Sequence, residues 1–138
     1  MDAAWLERYF KAWARHAQAT DPKTGADDMA RLLSFLSPEI RYEDVPTAQT
    51  FVGAQGMREM GAQALAMAAD LNFTFVSGVA DKTHFAFENE CRGTAGNGKA
   101  FLLRAVAIGR IGPDGKVISH KDYWDLAGYM RQMGTLSA

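Results

Sequence analysis

Between residues 72 and 124 the apolar residues recur two apart: Phe73, Phe75 and Val79, then Phe85 and Phe87, then the runs FLLRAVAIGRI and VISHKDYW. Successive side chains of an extended chain point to opposite faces, so this period marks strands with one buried face. The four stretches are separated by Ala80-Asp81, AGNG and GPDG. Links so short and so rich in turn formers join neighbouring strands into an antiparallel meander. A sheet of this kind needs other parts of the chain to cover its apolar face.

The first half of the chain provides the cover. Trp5, Leu6, Tyr9, Phe10, Trp13 and Ala17 recur at three- and four-residue spacing, with Glu7, Arg8, Lys11 and Arg15 mostly on the other side, which predicts an amphipathic first helix. TDPKTGADD reads as a turn-rich break that leaves Asp27 and Asp28 in the first turn of a second helix, where the helix dipole favours them. Met29, Leu32, Leu33 and Leu36 form its apolar face, and Ser37-Pro38 ends it, because the residue before proline is pushed out of helical geometry. Ile40 to Asp44 and Gln49 to Val52 are expected as short strands around VPTA. A third helix over about residues 54–68 would bury Met57, Met60, Gly61, Ala64, Leu65 and Ala68. A short helix from Leu126 to Met133 ends at Gly134, a suitable left-handed cap. The reading is one α+β domain over residues 1–138, with helices on one face of a curved sheet and a blind pocket between them, the usual kind of place for a small-molecule site.

Composition narrows the function. Fifteen basic against sixteen acidic residues give a net charge of -1, so nucleic acid is not expected as a partner. The single cysteine, Cys91, allows no internal disulfide and suits a reducing compartment. Asp2, Glu7, Arg8 and Lys11 interrupt what would be the apolar part of a signal peptide, and no stretch approaches the ~20 apolar residues of a membrane span. A cytoplasmic protein that does not contact membrane is expected. The three histidines form no H-x-x-x-H or H-x-H pair, so no metal is expected, and no glycine-rich phosphate loop calls for an organic cofactor. Leu102, Val106, Ile108 and Tyr123 fall on the uncovered side of the sheet, which predicts a homo-oligomer, most simply a dimer.

Two segments, RYEDVPTAQTFVGAQGMREM and GRIGPDGKVISHKDYWDLAGYMRQMG, together with the element order, resemble the nuclear transport factor 2-like superfamily. Within it they are similar to the SnoaL-like polyketide cyclases, ketosteroid isomerases and limonene epoxide hydrolases. The resemblance covers nearly the whole chain. It implies a single SnoaL-like domain: a cone-shaped α+β barrel whose curved antiparallel sheet wraps around three helices from the N-terminal half, followed by a short C-terminal helix.

Alternation along VISHKDYW places Ile118, His120, Asp122 and Trp124 on the pocket side and Val117, Ser119, Lys121 and Tyr123 outside. In the resembling families the aspartate at the position of Asp122 is the general acid or base, a role suited to a carboxyl group among aromatic rings. Asp44 lies in YEDVP, which is similar to the isomerase acidic turn, and would be a second carboxylate. Tyr9 matches the isomerase's oxyanion-stabilising tyrosine, but the second donor of that site maps near Ala107, so steroid isomerisation is disfavoured. Epoxide hydrolases need an Arg-x-Asp pair where this chain has FENECRG, which puts that triad in doubt. Asn89 is a candidate for orienting water or substrate if Phe85, Phe87, Asn89 and Cys91 point inward. His120 is expected to orient Asp122 or relay protons, and Cys91 as a nucleophile has no supporting motif. Trp13, Tyr42, Phe87 and Trp124 complete the expected substrate-binding lining.

Taken together, the residues and the resemblance lead us to expect a cofactor-independent acid/base enzyme of lyase, isomerase or cyclase type. Its substrate would be a bulky hydrophobic or aromatic small molecule. Epoxide hydrolysis, or a non-enzymatic ligand-binding or dimerisation module, is the alternative.

Overall fold

A computed structural model describes residues 2–18 and 22–135. Helix α1 (Ala3–Ala17) begins at Asp2, whose side chain accepts from the Trp5 backbone N–H at 3.0 Å, and it buries Trp5, Leu6, Tyr9, Phe10 and Trp13. Helix α2 (Pro22–Leu33) starts earlier than the sequence predicts. Proline is pre-organised for the first helical position, so Asp27 and Asp28 fall beyond the first turn. Thr20 and Asp21, at the start of the expected break, lie outside the described residues.

The helix also stops earlier, at Leu33, and strand β1 (Leu36–Asp44) already contains Ser37-Pro38. The β1 ladder to its neighbour is interrupted between Leu36 and Arg41, and Pro38, with no N–H to contribute, sits in that interruption. Strand β2 (Gln49–Val52) folds back on β1, and α3 (Gly53–Met67) follows. Helix α3 buries Met57 and Met60. Leu65, expected on that buried side, is 44% exposed, because Gln63, Ala64 and Met67 take the side that faces a cavity described below.

The meander is β3 (Asn72–Ala80), β4 (His84–Thr94), β5 (Ala100–Ile111) and β6 (Val117–Trp124), each pair antiparallel. The whole sheet has the order β2-β1-β6-β5-β4-β3. One pairing in it, β1 with β6, is parallel, so the sheet is mixed. Helix α4 (Leu126–Met133) is capped by Asp125, which accepts from the Gly128 N–H at 2.8 Å, and ends at Gly134 with φ 76°. No described helix is long and apolar enough to cross a membrane.

The interior divides into two hydrophobic clusters. The larger joins α1 to Leu32, Ile40, Phe51, Met57, Phe85, Phe87 and Val117. The smaller joins Ala68, Leu71, Cys91, Phe101, Leu103 and Met133 near α4. The space between them is not filled by side chains, and it holds the candidate site.

Candidate functional site

Three inward-facing rows cross the sheet at this seam. Tyr42, His120, Gly109 and Phe85 are successive register partners, as are Asp44, Asp122, Ala107 and Phe87 one step along, and Trp124, Ala105 and Asn89 beyond them. Parallel pairing of β1 with β6 is what sets Tyr42 beside His120 and Asp44 beside Asp122. A glycine is required at position 109: a Cβ there would lie 2.3 Å from the Phe85 ring and 2.4 Å from the Ser119 carbonyl oxygen.

A continuous hydrogen-bond chain runs through the first two rows. The Tyr9 hydroxyl lies 2.7 Å from His120 Nδ1, and His120 Nε2 lies 2.8 Å from Asp122 Oδ1. The Tyr42 hydroxyl donates to Asp122 Oδ2 and accepts from Trp13 Nε1–H at 2.7 Å. The direction of each bond follows from what each group can give. Tyr9 is completely buried and has only the imidazole as partner among the described residues, so its O–H donates to Nδ1. A neutral imidazole that accepts at Nδ1 carries its proton on Nε2 and donates it to the carboxylate. Asp122 thereby accepts from two donors, one on each oxygen. Burial, and secondarily the charge of Asp122, holds both phenols well above the usual tyrosine range, so they remain donors.

Tight stacking fixes this chain in place. His120 is stacked on Tyr42 with centroids 4.4 Å apart, and its ring lies 5.6 Å from that of Phe85. Tyr9 is stacked on Trp5 at 5.3 Å and packed against Phe85 at 5.2 Å. The His120 side chain is wholly inaccessible, whereas that of Asp122 is 15% exposed. The carboxylate is therefore where the buried chain reaches open space.

That space is a cavity of about 320 Å³ walled by Trp13, Tyr42, Phe51, Met60, Phe73, Leu103 and Trp124, with Asp122, Asp44 and Asn89 among its polar groups. Small side chains leave the room: Ala17 from α1, Ala64 from α3 and Ala105 from β5 all face it. Among the described residues no three His, Cys, Asp or Glu side chains converge as a metal-ligand set.

The sequence-predicted residues divide by this geometry. Asp122, Asp44, Trp13, Tyr42, Asn89 and Trp124 line the cavity. Asp44 clamps the indole of Trp124, accepting from Nε1–H at 2.6 Å, and also accepts from the Thr47 hydroxyl. Tyr9 and His120 stand behind Asp122 and do not reach the space. Phe87 does not line the cavity: its ring is packed into the core against Phe10, Trp13 and Phe85. Ile118, expected on the pocket side, is half-buried and does not line the cavity, while Val117, expected outside, is buried: the β5–β6 register shifts between Arg110 and Ile111, and such a bulge breaks the alternation before it. From His120 onward the predicted parity is the observed one. Cys91 lines the cavity, with burial pushing its thiol up to about 12. Both nitrogens of His120 are engaged elsewhere, so no Cys–His pair forms. Residues not singled out from the sequence also contribute: Thr47, Gln49, Gln63 and Tyr129 line the cavity. Of these, Gln49 was legible from its shared parity with the buried Phe51.

Comparison with known proteins places this geometry. No curated protein matches the chain in sequence. In structure it is similar to TsrD from Streptomyces laurentii, with 23% identity over 99% of each chain and a TM-score of 0.77. It is also similar to a protein with a ketosteroid isomerase-like fold from Catenulispora acidiphila in complex with trimethylamine, at 20% identity over 94% of this chain and 93% of that one, TM-score 0.75. TerC, co-crystallised with polyporic acid, is 15% identical over 94% of this chain and 97% of its own, TM-score 0.74. At these identities the likeness concerns the fold. The family model for the SnoaL-like domain matches residues 6–120, from the first helix to the histidine of the buried hydrogen-bond chain, and the protein therefore belongs to the SnoaL-like domain family.

Proposed function

We propose that the chain is a cofactor-independent acid/base enzyme of the lyase, isomerase or cyclase type, acting on a flat hydrophobic or aromatic carbonyl compound, with Asp122 as the proton acceptor and donor. The observation that carries this reading is the setting of the Asp122 carboxylate: at a cavity wall, held on one oxygen by His120 and on the other by Tyr42. A carboxylate pinned from behind presents its remaining lone pairs to a bound molecule in one fixed orientation, the condition under which a positioned base is effective. In the step proposed, a C–H bond next to a carbonyl breaks, its proton passes to Asp122, and the electron pair moves into the enolate. Return of the proton at another carbon of the conjugated enolate gives isomerisation; attack by the enolate carbon on a second carbonyl, whose π pair moves to its oxygen and takes the proton back from Asp122, gives cyclisation. Tyr9 and His120 act as positioning residues. The aromatic walls supply stacking for a flat molecule, and co-crystallisation of TerC with polyporic acid supports a ligand of that general kind.

The test is enzyme-dependent exchange of the α-protons of bicyclic ketones such as 1-tetralone in deuterated water, followed by NMR. Wild type should accelerate exchange, and Asp122→Asn should lose at least ~100-fold of the acceleration. Binding of the ketones without any acceleration would identify a ligand-binding module instead. We propose also that the chain dimerises through the outer sheet face, where Val106, Ile108 and Tyr123 are 41%, 47% and 44% exposed. Sedimentation of a monomer at micromolar concentration would reject this.

A further inference from the structure

Asn89 is the most conspicuous polar group in the molecule that the hydrogen-bond chain leaves unexplained. It is 1% exposed, yet neither its Oδ1 nor its Nδ2 has a partner among the described residues. It lines the cavity from β4, with Phe85, Phe87 and Cys91 buried on the same face of that strand. A primary amide stripped of water and left without partners is costly, and native interiors avoid it. An exception that opens onto a binding cavity is accounted for when a ligand completes it.

The form of the amide says what such a ligand must carry. The side chain offers an acceptor and a donor side by side in one plane, so both are satisfied together by a planar group with a carbonyl oxygen next to an N–H or O–H. A lone carbonyl satisfies Nδ2 and leaves Oδ1 bare, and a hydrocarbon leaves both. Asn89 stands two strands from Asp122 and one inward step along, roughly 12 Å apart at the backbone from a strand spacing of ~4.8 Å and a rise of ~3.4 Å per residue. Only Ala105 and Ala107 lie on β5 between them. A flat ring system therefore fits across the gap, with its carbonyl end on Asn89 and conjugated carbons toward Asp122.

We propose that Asn89 is the specificity-determining residue of this site, selecting flat substrates that present a carbonyl with an adjacent N–H or O–H. This deepens the reading of the cavity as a substrate site and rests on it.

Three bicyclic probes of nearly the same outline separate the terms: 2-quinolone has N–H beside C=O, coumarin has C=O beside a ring oxygen, and naphthalene has neither. Calorimetric titration of wild type should give 2-quinolone at least tenfold tighter than coumarin, since the lactam makes one hydrogen bond that coumarin replaces with an unpaired acceptor. Asn89→Leu should erase that preference while keeping naphthalene binding, and Asn89→Ala gives the same comparison if the leucine variant does not fold. Asp122→Asn should retain the preference. Equal affinity for 2-quinolone and coumarin in wild type, or a preference that survives in both Asn89 variants, overturns the assignment while leaving the cavity as a binding site. Failure of all three probes to bind wild type overturns the assignment and the substrate-site reading together.

Discussion

Tyr9→Phe removes one oxygen atom and nothing else from the buried chain. The ring keeps its stack on Trp5 at 5.3 Å and its contact with Phe85 at 5.2 Å, so packing is conserved. What changes is His120, whose side chain is 0% exposed and whose Nδ1 loses its donor. The imidazole has no good alternative: moving its proton to Nδ1 would leave Nε2 as a bare acceptor 2.8 Å from a carboxylate oxygen. Stranding one buried acceptor costs about 1–3 kcal/mol. For a domain of this size that corresponds to a fall in Tm of roughly 3–15 °C, measurable by calorimetry or by circular dichroism. Proton exchange catalysed by the variant should fall as well, because Asp122 is then held by a less constrained imidazole. The diagnostic control is the same substitution in a His120→Phe background. There the Tyr9 hydroxyl is itself the stranded group, so removing it should be neutral or stabilising, and the difference between the two backgrounds is the coupling of the pair. A Tm for Tyr9→Phe within 1 °C of wild type, or an equal cost in both backgrounds, would refute the argument that Tyr9 donates to His120; the 1 °C criterion is about a third of the smallest shift expected.

Three further outcomes follow from the same geometry. Ala105→Leu should fill the cavity between Asn89 and Asp122, abolishing binding of bicyclic probes by titration while leaving the unfolding midpoint near that of wild type or higher. Cys91, with its thiol pushed up to about 12 by burial, should resist iodoacetamide at pH 8 in the folded protein and react on denaturation, as read by mass spectrometry. Because burial raises the Tyr9 and Tyr42 phenols above their ordinary 10.0, the unfolded chain sheds protons above that pH that the fold retains. Their contribution is therefore complete below about pH 10 and is lost as pH rises beyond it. Denaturant midpoints measured from pH 8 to 11 should decline at the alkaline end, and less steeply in Tyr42→Phe.

Local pattern sufficed where local physics decides. The alternation within β4 and β5, the turns between the strands, the amphipathic α1 and the Gly134 cap each depend on neighbours within a few residues, and the structure has them where the chain spells them; in β3 a register shift between Phe75 and Ser77 breaks the phase and leaves Val79 71% exposed. The inward face of β6 from His120 onward is legible for the same reason, so Asp122 and Trp124 could be placed on one surface from alternation; in β4 alternation sets Phe85, Phe87, Asn89 and Cys91 on one face but not which way that face points, and the structure turns it inward. Tertiary structure decided what lies across that surface. Parallel pairing of β1 with β6 joins residues 80 apart in sequence, Tyr42 to Asp122 and Asp44 to Trp124, and no short-range signal encodes that register. A bulge near Ile111 exchanges the burial of Val117 and Ile118, Pro38 is absorbed into a gap in a ladder, and Phe87 is drawn into packing with Phe10, Trp13 and Phe85, each because pairing and packing with a distant partner outweigh local preference. The division of labour among polar residues has the same origin. From the sequence and its resemblance, Asp122 is the acid or base and His120 and Tyr9 are its helpers; only the burial of those two shows that both stand behind Asp122, and only the tertiary structure reveals that Asn89 has no partner among the described residues.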